Sequence, residues 1–345
     1  MFNPHSYRVR SVDSVVAEIK QKISDSGCRR FMFVDNYFGA HRRQAKELLR
    51  RIIAEGIDFS CFAFCRLEIH KDPEFLDLLK QAGFDPLFIG FESFSDRVLQ
   101  GYDKRQTAAR IRQAIHDIKS RDLRISGSFI IGSDEDTVES IRAMIDAAIH
   151  SGIDNINIFP LAAMPGRGPQ PYPRNRFILL DYDFGSGNHV ALFPKRMKPS
   201  TLQKEYIRAY RQFNNAGTAW RAMREGNVGA GLERFAPAMA HRAIIADIEK
   251  RYLPLLYEVE EGLYDENEQL LEDKLPPHGV IGKGIILPPE DEAVFDPHMQ
   301  QGIALNNFDP GQQPVPHALD VMQIPAVTRA YSLDMALRKC YGNQI

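Results

Sequence analysis

Polar side chains that could bind a charged ligand follow three short apolar runs in this sequence. Asp35 and Asn36 follow the run FMFV, and Arg66 follows FSCFAFC. Glu92 and Ser93 follow PLFIGF. A carboxylate can pair with an ammonium group, and the planar fork of an arginine matches a carboxylate. The five residues therefore form a candidate binding set, provided that the fold brings the ends of these runs together.

The apolar runs alternate with helical patterns, and this alternation predicts where the candidate residues lie. Strand-like runs occupy 31–35, 59–69, 86–92, 123–132 and 155–161. Amphipathic helical patterns occupy 12–23, 42–56, 72–83, 107–120 and 136–152. This rhythm is typical of right-handed βαβ units and a parallel sheet, either open or closed into a barrel. Both architectures bind ligands at the carboxyl ends of the strands, so the candidate residues converge on one rim.

The second half of the chain has a different pattern. Residues 176–197 suggest two short strands around a glycine-rich turn, and 199–213 is a helical pattern that begins at a proline and a serine. More helix is expected through about residue 262. The segment 274–325 is rich in proline, which predicts an extended arm over the surface or partial disorder.

Composition and charge exclude several classes of protein. The chain has 345 residues, a net charge of −2 and 44% hydrophobic residues, which is the composition of a soluble globular protein. The balanced charge gives no general footprint for nucleic-acid binding, and no apolar run approaches the roughly 18 residues of a membrane helix. The N-terminus has no apolar signal core, and four scattered cysteines do not form a secreted disulfide framework. We therefore expect a cytoplasmic protein.

Several segments, in order, resemble the radical S-adenosylmethionine (radical SAM) enzymes. The closest resemblance is to the branch that carries a cobalamin-binding domain in front of the barrel. The segments are RVRSVDSVVAEIK, FVDNYFG, FIGFES with VLQGYDKRQ, SGSFIIGSDEDT and FPLAAMPG. The later segment DYDFGSGNHVALFPKRMKPSTLQKEYIRAYRQF resembles the part that follows the barrel in that branch. The resemblance covers residues 7–213, whereas 214–345 resemble no family.

The resemblance implies an α/β fold with a partial parallel (β/α) barrel similar to a TIM barrel. We expect a radical SAM-like partial barrel at 1–168, strands and a helical extension at 169–262, and a proline-rich arm at 263–345. Enzymes of this family bind S-adenosylmethionine and a [4Fe–4S] cluster at the strand ends. They are oxidoreductase-type iron–sulfur enzymes that form a 5′-deoxyadenosyl radical for hydrogen abstraction or methyl transfer.

The resemblance also implies roles for seven residues, all of them in binding S-adenosylmethionine. Asp35 and Asn36 correspond to residues that contact the methionyl amino group, and Arg66 corresponds to the residue that contacts the methionyl carboxylate. Glu92 and Ser93 correspond to residues that contact the ribose or the amino group. Gly127 and Gly132 correspond to the main chain beside the adenine. Glycine suits the last role because it lets the main chain come near a flat ring. The resemblance assigns no catalytic residue and no metal ligand.

The CxxxCxxC motif that holds the cluster in the family is absent from this sequence. Cys61 and Cys65 lie on one strand, about 13 Å apart at ~3.3 Å per residue, which is too far for two ligands of one cluster. We expect both to be packed thiols on the face opposite Arg66. We interpret the chain as a truncated form or a fragment that lacks the first barrel strand and is inactive by itself. A [4Fe–4S] cluster then depends on cysteines upstream, and cobalamin is possible in a longer chain.

Loss of the first barrel strand makes FMFVD an edge strand with unpaired backbone groups. We expect the N-terminal helix, the C-terminal arm, a partner or a missing N-terminal domain to cover it. Two alternative functions stay open: a non-catalytic barrel remnant that binds S-adenosylmethionine or a partner, and a TIM-type lyase that uses Glu92 as its base. We interpret the acidic residues 134–136 as helix-capping groups rather than metal ligands.

Overall fold

The computed structural model describes residues 9–102, 106–162, 172–179, 187–215 and 235–281. Its first part contains five strands: β1 Arg30–Phe33, β2 Ser60–Cys65, β3 Leu87–Glu92, β4 Ile125–Ile131 and β5 Asn155–Pro160. Six helices accompany them: α1 Val12–Ser26, α2 Arg42–Ala54, α3 Pro73–Gln81, α4 Asp96–Gly101, α5 Ala108–Lys119 and α6 Val138–His150. None of the helices in these ranges is long and apolar enough to span a membrane.

The five strands form one parallel sheet in the order β1-β2-β3-β4-β5. Each new strand is added on the same side, and right-handed crossovers then place the connecting helices on one face of the sheet. The sheet curls into a half-barrel whose inner face lies opposite the helices. This confirms the predicted α/β fold and the partial parallel barrel.

The two faces of the sheet differ in burial because successive side chains point to opposite sides. Cys61, Ala63 and Cys65 are buried in the layer between the sheet and the helices, together with Ile89 and Phe91. Burial raises the pKa of both thiols to about 12, so they are neutral at physiological pH. The structure therefore confirms the two cysteines as packed thiols.

All five strands are shorter than the sequence predicts, and β2 is shortened the most. β1 ends at Phe33, and β2 ends at Cys65, where a 3₁₀ helix follows over Leu67–Lys71. The alternation of Leu67 and Ile69 imitates a strand, but both side chains enter the core from this turn. The turn leads to Asp72, whose carboxylate accepts a hydrogen bond from Phe75 N at 3.1 Å and caps α3. The short helix α4 was not predicted.

The part after the half-barrel is mostly helical, as predicted. It contains α7 Pro199–Phe213, α8 Phe235–Asp247, a π-helical turn Ile248–Tyr252 and α9 Leu253–Val259. β6 Ile178–Leu179 pairs in parallel with β7 Val280–Ile281, which belongs to the beginning of the expected arm. Where two short strands were predicted within residues 176–197, the described residues form a single antiparallel bridge between Phe177 and Leu192. Its turn and residues 282–345 lie outside the described ranges.

Helix α7 seals the β5 side of the sheet. The backbone N–H of Ile158 in β5 donates to the Tyr210 hydroxyl at 2.9 Å. On the neighbouring helix α6, Arg142 donates to both carboxylate oxygens of Glu205 in α7. At the opposite edge β1 pairs with β2, and α1 packs against α2.

Candidate functional site

Glu92 lies at the carboxyl end of β3 in a strained turn. Its φ is +64°, and the backbone N–H of Ser93 donates to the carbonyl of Phe91 at 2.8 Å. A three-residue γ-turn with positive φ at its centre is rare, and a glutamate in that conformation is unusual. The pairing of β3 with β4 changes register between Gly90 and Glu92. Backbone strain of this kind concentrates at ligand sites, where the surrounding structure keeps it in place.

The turn lays the Glu92 carboxylate over the inner face of the sheet. Leu87, Ile89 and Phe91 are buried on the helix side of β3. Because successive residues of a strand face opposite sides, Phe88 and Gly90 lie on the inner face. A Cβ atom placed on Gly90 would lie 2.8 Å from Glu92 Oε1. The carboxylate is therefore folded back over Gly90, inside the half-barrel, rather than directed away from the strand end.

Ser93 has a structural partner beside this turn. Its side chain is 2% exposed, and its hydroxyl oxygen accepts a hydrogen bond from the backbone N–H of Ser95 at 3.1 Å. Ser93 thus stabilises the entry into α4. Its expected contact with the ribose or amino group stays a prediction.

At the end of β4, a buried aspartate holds the loop that leads to α6. The backbone N–H groups of Gly132 and Ser133 each donate to Asp136 Oδ2 at 3.0 Å, and the Ser133 hydroxyl donates to it at 2.9 Å. Ser140 donates to the other carboxylate oxygen at 3.0 Å. Burial raises the pKa of Asp136, although the hydrogen bonds oppose this shift. The N-cap of α6 is Thr137, whereas Asp134 and Glu135 pair with Arg176 and Arg196. The structure therefore does not confirm the capping interpretation of residues 134–136.

Packing accounts for both glycines that the resemblance places near the adenine. Gly132 has φ +90°, and a Cβ there would lie 2.4 Å from Cδ2 of Leu202 in α7. A Cβ on Gly127 would lie 3.1 Å from the rings of Phe91 and Phe129, on the helix-facing side. Position 132 therefore requires glycine even without a ligand, and at position 127 the two rings leave little room for a side chain. Their contact with adenine stays a prediction.

The ends of β1 and β2 carry the exposed part of the rim. Asp35, Asn36 and Arg66 are all exposed to solvent. The Arg66 guanidinium lies 5.1 Å from the centre of the Tyr37 ring, and the backbone N–H of Phe38 donates to the carbonyl of Phe64 at 2.7 Å. The loop after β1 is thus tied to the end of β2. Sequence reasoning missed Tyr37, although an aromatic residue beside the Asp35 and Asn36 pair was a visible signal.

An apolar surface covers the β1 to β3 half of the inner face. The rings of Phe62, Phe64 and Phe88 lie 4.9–5.9 Å apart, centre to centre, and are half-buried. Met32 is 43% exposed on the same face. The strand alternation predicted these orientations, but the residues were not identified as part of a site.

The β4 and β5 half of the inner face is polar. Asn155 and Asn157 donate from their amide groups to the Ser126 hydroxyl at 3.2 and 2.8 Å. Phe159, at the end of β5, is 39% exposed. The half-barrel therefore presents an apolar wall and a polar wall, with the Glu92 carboxylate at the rim between them.

The described residues do not fit a [4Fe–4S] cluster. They contain no group of three or more histidine, cysteine or acidic side chains that could hold a metal ion. Cys61 and Cys65 are buried as neutral thiols, whereas cluster ligands are thiolates. Cys28 precedes β1 and so lies at the amino ends of the strands, opposite the candidate rim.

Sequence comparison finds a family that is similar to the first part of the chain, which contains β1 to β4. Residues 2–148 match the profile of the radical SAM superfamily. Over these residues the chain is similar to the radical SAM superfamily. This confirms the family that the sequence segments resemble. The chain spans less than half the length of the first two relatives described below.

Among the similar proteins are two methyltransferases. An uncharacterized methyltransferase of Pyrococcus horikoshii is 28% identical over 196 residues, which is 57% of this chain and 40% of that protein. The bacteriochlorophyllide d C-12(1)-methyltransferase of Chlorobaculum tepidum is 24% identical over 210 residues, which is 60% of this chain and 46% of that protein. A solved radical S-adenosylmethionine methyltransferase of Kitasatospora setae, with cobalamin and a [4Fe–4S] cluster bound, is 21% identical with a TM-score of 0.41, covering 45% of this chain and 32% of that one.

Proposed function

We propose that this chain forms the S-adenosylmethionine-binding part of a methyltransferase-type radical SAM enzyme. The observation that supports this most directly is the strained γ-turn that directs the Glu92 carboxylate onto the inner face of the half-barrel. A carboxylate kept in that position at the cost of backbone strain indicates a ligand to be bound. The match of residues 2–148 to the radical SAM profile and the methyltransferase names of the relatives favour S-adenosylmethionine as that ligand.

The charges along the rim suit the methionyl part of this ligand. Asp35 and Glu92 provide carboxylates for its ammonium group, and Arg66 provides a guanidinium for its carboxylate. Asn36 and Ser93 supply further polar groups at the same strand ends. Gly127 and Gly132 complete the proposed set beside the adenine.

S-adenosylmethionine supplies a methyl group or, after one-electron reduction, a 5′-deoxyadenosyl radical. Because the described residues do not fit a [4Fe–4S] cluster, the role proposed for this chain is binding. Hydrogen abstraction or methyl transfer would require a longer protein that contributes the cluster and, in a cobalamin-dependent enzyme, the cobalamin. We expect the purified chain to be inactive in radical formation.

The proposal is tested by equilibrium dialysis of the chain against radiolabelled S-adenosylmethionine. We expect saturable binding that weakens about 10- to 100-fold in Glu92→Gln and in Arg66→Gln, since each change removes a charge-assisted contact. Glu47→Gln and Arg43→Gln are matched controls, because both residues are exposed on α2. They should bind within about twofold of wild type, a range well below the loss of one hydrogen bond. Failure of the wild-type chain to bind, or equal binding by all four variants, would contradict the proposal.

A second candidate function is a non-catalytic barrel remnant that binds a partner. The observation favouring it is the exposure of two apolar residues at the edge of the sheet: Met32 in β1 is 43% exposed, and Val34, just after β1, is 75% exposed. A correctly folded chain that does not bind S-adenosylmethionine but forms a defined complex in sedimentation would favour this function.

A further inference from the structure

Gly90 lies at a position where neither a left-handed backbone nor a packed ring or backbone atom accounts for glycine. Its φ is not in the left-handed region, so the backbone does not require glycine there. The nearest atoms to a Cβ on Gly90 all belong to the Glu92 side chain: Oε1 at 2.8 Å, Cδ at 3.5 Å and Oε2 at 3.9 Å. The absent side chain of Gly90 therefore leaves space for one group, the Glu92 carboxyl.

We infer that Gly90 is a positioning residue, whose missing Cβ holds open the place on the inner face where the Glu92 carboxylate meets its ligand. This inference rests on the proposed function, since it assigns Gly90 a role in binding S-adenosylmethionine. Gly90 acts on the ligand only through the Glu92 carboxylate that lies over it.

The γ-turn explains why the space at Gly90 matters. Its hydrogen bond between Ser93 N and the Phe91 carbonyl, together with φ +64°, fixes the direction in which the Glu92 side chain leaves the backbone. From that direction, the carboxylate reaches its place by lying over Gly90. An alanine at 90 would displace it, because a contact of 2.8 Å is too short for a carbon and an oxygen that are not bonded.

The displacement should affect binding more than stability. A glutamate side chain has rotatable bonds and can swing away from an added methyl group at little cost, unlike a packed ring or a backbone atom. Alanine also loses less conformational entropy than glycine on folding, which offsets part of any strain. A loss of affinity with a nearly unchanged unfolding temperature would therefore be characteristic of positioning.

The test is a double-mutant cycle on the chain, with Gly90→Ala, Glu92→Ala and the combination of both. Affinity for S-adenosylmethionine is measured by equilibrium dialysis, at protein concentrations high enough to titrate the weak Glu92→Ala variant. Thermal unfolding of the same samples is followed in parallel. Gly101→Ala is the matched control, because Gly101 ends α4 and no atom lies within 4 Å of its Cβ position.

We expect Gly90→Ala to weaken binding by about 10- to 100-fold, similar to the loss of a charge-assisted contact. In the Glu92→Ala background the same change should alter affinity by less than about twofold, and it should raise the unfolding temperature because the clash is gone. An equal loss of affinity in both backgrounds would overturn the inference, since the alanine would then obstruct the ligand directly. Unchanged affinity in Gly90→Ala would overturn it as well.

The cycle also separates this inference from the proposed function. If wild type binds and the two positions are not coupled, the inference fails and the proposed function stands. If wild type does not bind, both fail. In that case the coupling in unfolding temperature still reports whether Gly90 and Glu92 are in contact.

Discussion

The rim of the half-barrel has two halves that differ in burial. At the ends of β3 and β4, polar groups are buried and hydrogen-bonded to one another, as in the contacts of Asp136 with Gly132, Ser133 and Ser140. At the ends of β1 and β2, Asp35 and Arg66 are exposed. The comparison indicates that the loop after β4 is fixed by its own hydrogen bonds, whereas the ends of β1 and β2 are exposed to solvent.

The two edges of the sheet differ in the same way. The β5 edge is covered by α7, and Tyr210 accepts a hydrogen bond from the backbone of Ile158. The β1 edge carries the exposed side chains of Met32 and Val34. Stability should therefore depend more on the β4 and β5 side than on the β1 side.

The largest expected effect follows from removing Asp136. Asp136→Ala leaves the buried backbone N–H groups of Gly132 and Ser133 and the Ser133 hydroxyl without this acceptor. We expect it to lower the free energy of unfolding by about 3 kcal/mol. Asp35→Ala, in the exposed half, should change it by less than about 0.5 kcal/mol. Urea unfolding of both variants checks the comparison, and similar losses at the two positions would contradict it.

A smaller effect is expected at the covered edge. Tyr210→Phe removes the acceptor of the Ile158 N–H while keeping the ring, and should cost about 2 kcal/mol of unfolding free energy. Tyr257→Phe is the control, because Tyr257 is 46% exposed. If both variants unfold at the same urea concentration, the hydroxyl of Tyr210 does not seal the edge.

Replacing Glu92 should reveal the strain in its turn. Glu92→Gly adopts φ +64° without the steric cost that alanine retains, so it should be more stable than Glu92→Ala by about 1 kcal/mol. Both variants lose the carboxylate and should bind S-adenosylmethionine equally weakly. An alanine variant as stable as the glycine variant would show that the turn relaxes when the carboxylate is removed.

The smallest effects concern pH, and they have opposite signs at two buried carboxyls. Burial raises the pKa of Asp136, so its ionisation disfavours the folded state as the pH rises above its unfolded value of about 3.9. Burial would also raise the pKa of Glu205, but the guanidinium groups of Arg142 and Arg208 lower it below its ordinary value. Its stabilising contribution is present above about pH 4.3 and is lost as the pH falls through the folded pKa.

Two matched variants measure these signs. The range from about pH 3 to about pH 6 spans the ordinary pKa values of both carboxyl groups. Over this range, the stability of wild type relative to Asp136→Asn should fall as the pH rises. Relative to Glu205→Gln it should increase. Parallel pH profiles for the two variants would show that burial, rather than the arginine partners, governs both carboxyls.

Much of the fold was predictable because its signals are local. Helical periodicity located α2, α5 and α6, and Ser11 caps α1 by accepting a hydrogen bond from Ser14 N at 3.3 Å. Apolar runs separated by helices predicted the parallel sheet and the rim at its strand ends. The shorter β2 was not predictable, because alternating apolar residues in a 3₁₀ turn look like a strand.

The site was predictable in position but not in geometry. A residue at the end of a parallel strand must lie on the carboxyl rim, which places Glu92 and Arg66 from the sequence pattern and the family resemblance. The family segments added candidate roles for seven residues, and those roles stay predictions. The reasons for glycine at 127 and 132 differ from the expected one, because both depend on side chains that are distant in sequence or on the far side of the sheet.

The order of residues was enough to locate the five strands, most of the helices and the rim, since these depend largely on neighbours along the chain. The direction of the Glu92 carboxylate was decided by the tertiary structure. It requires the register shift against β4, the γ-turn between Phe91 and Ser93, and the space above Gly90. Positive φ at a glutamate is unfavourable in isolation, so it forms only where packing of the sheet against its helices compensates for the strain.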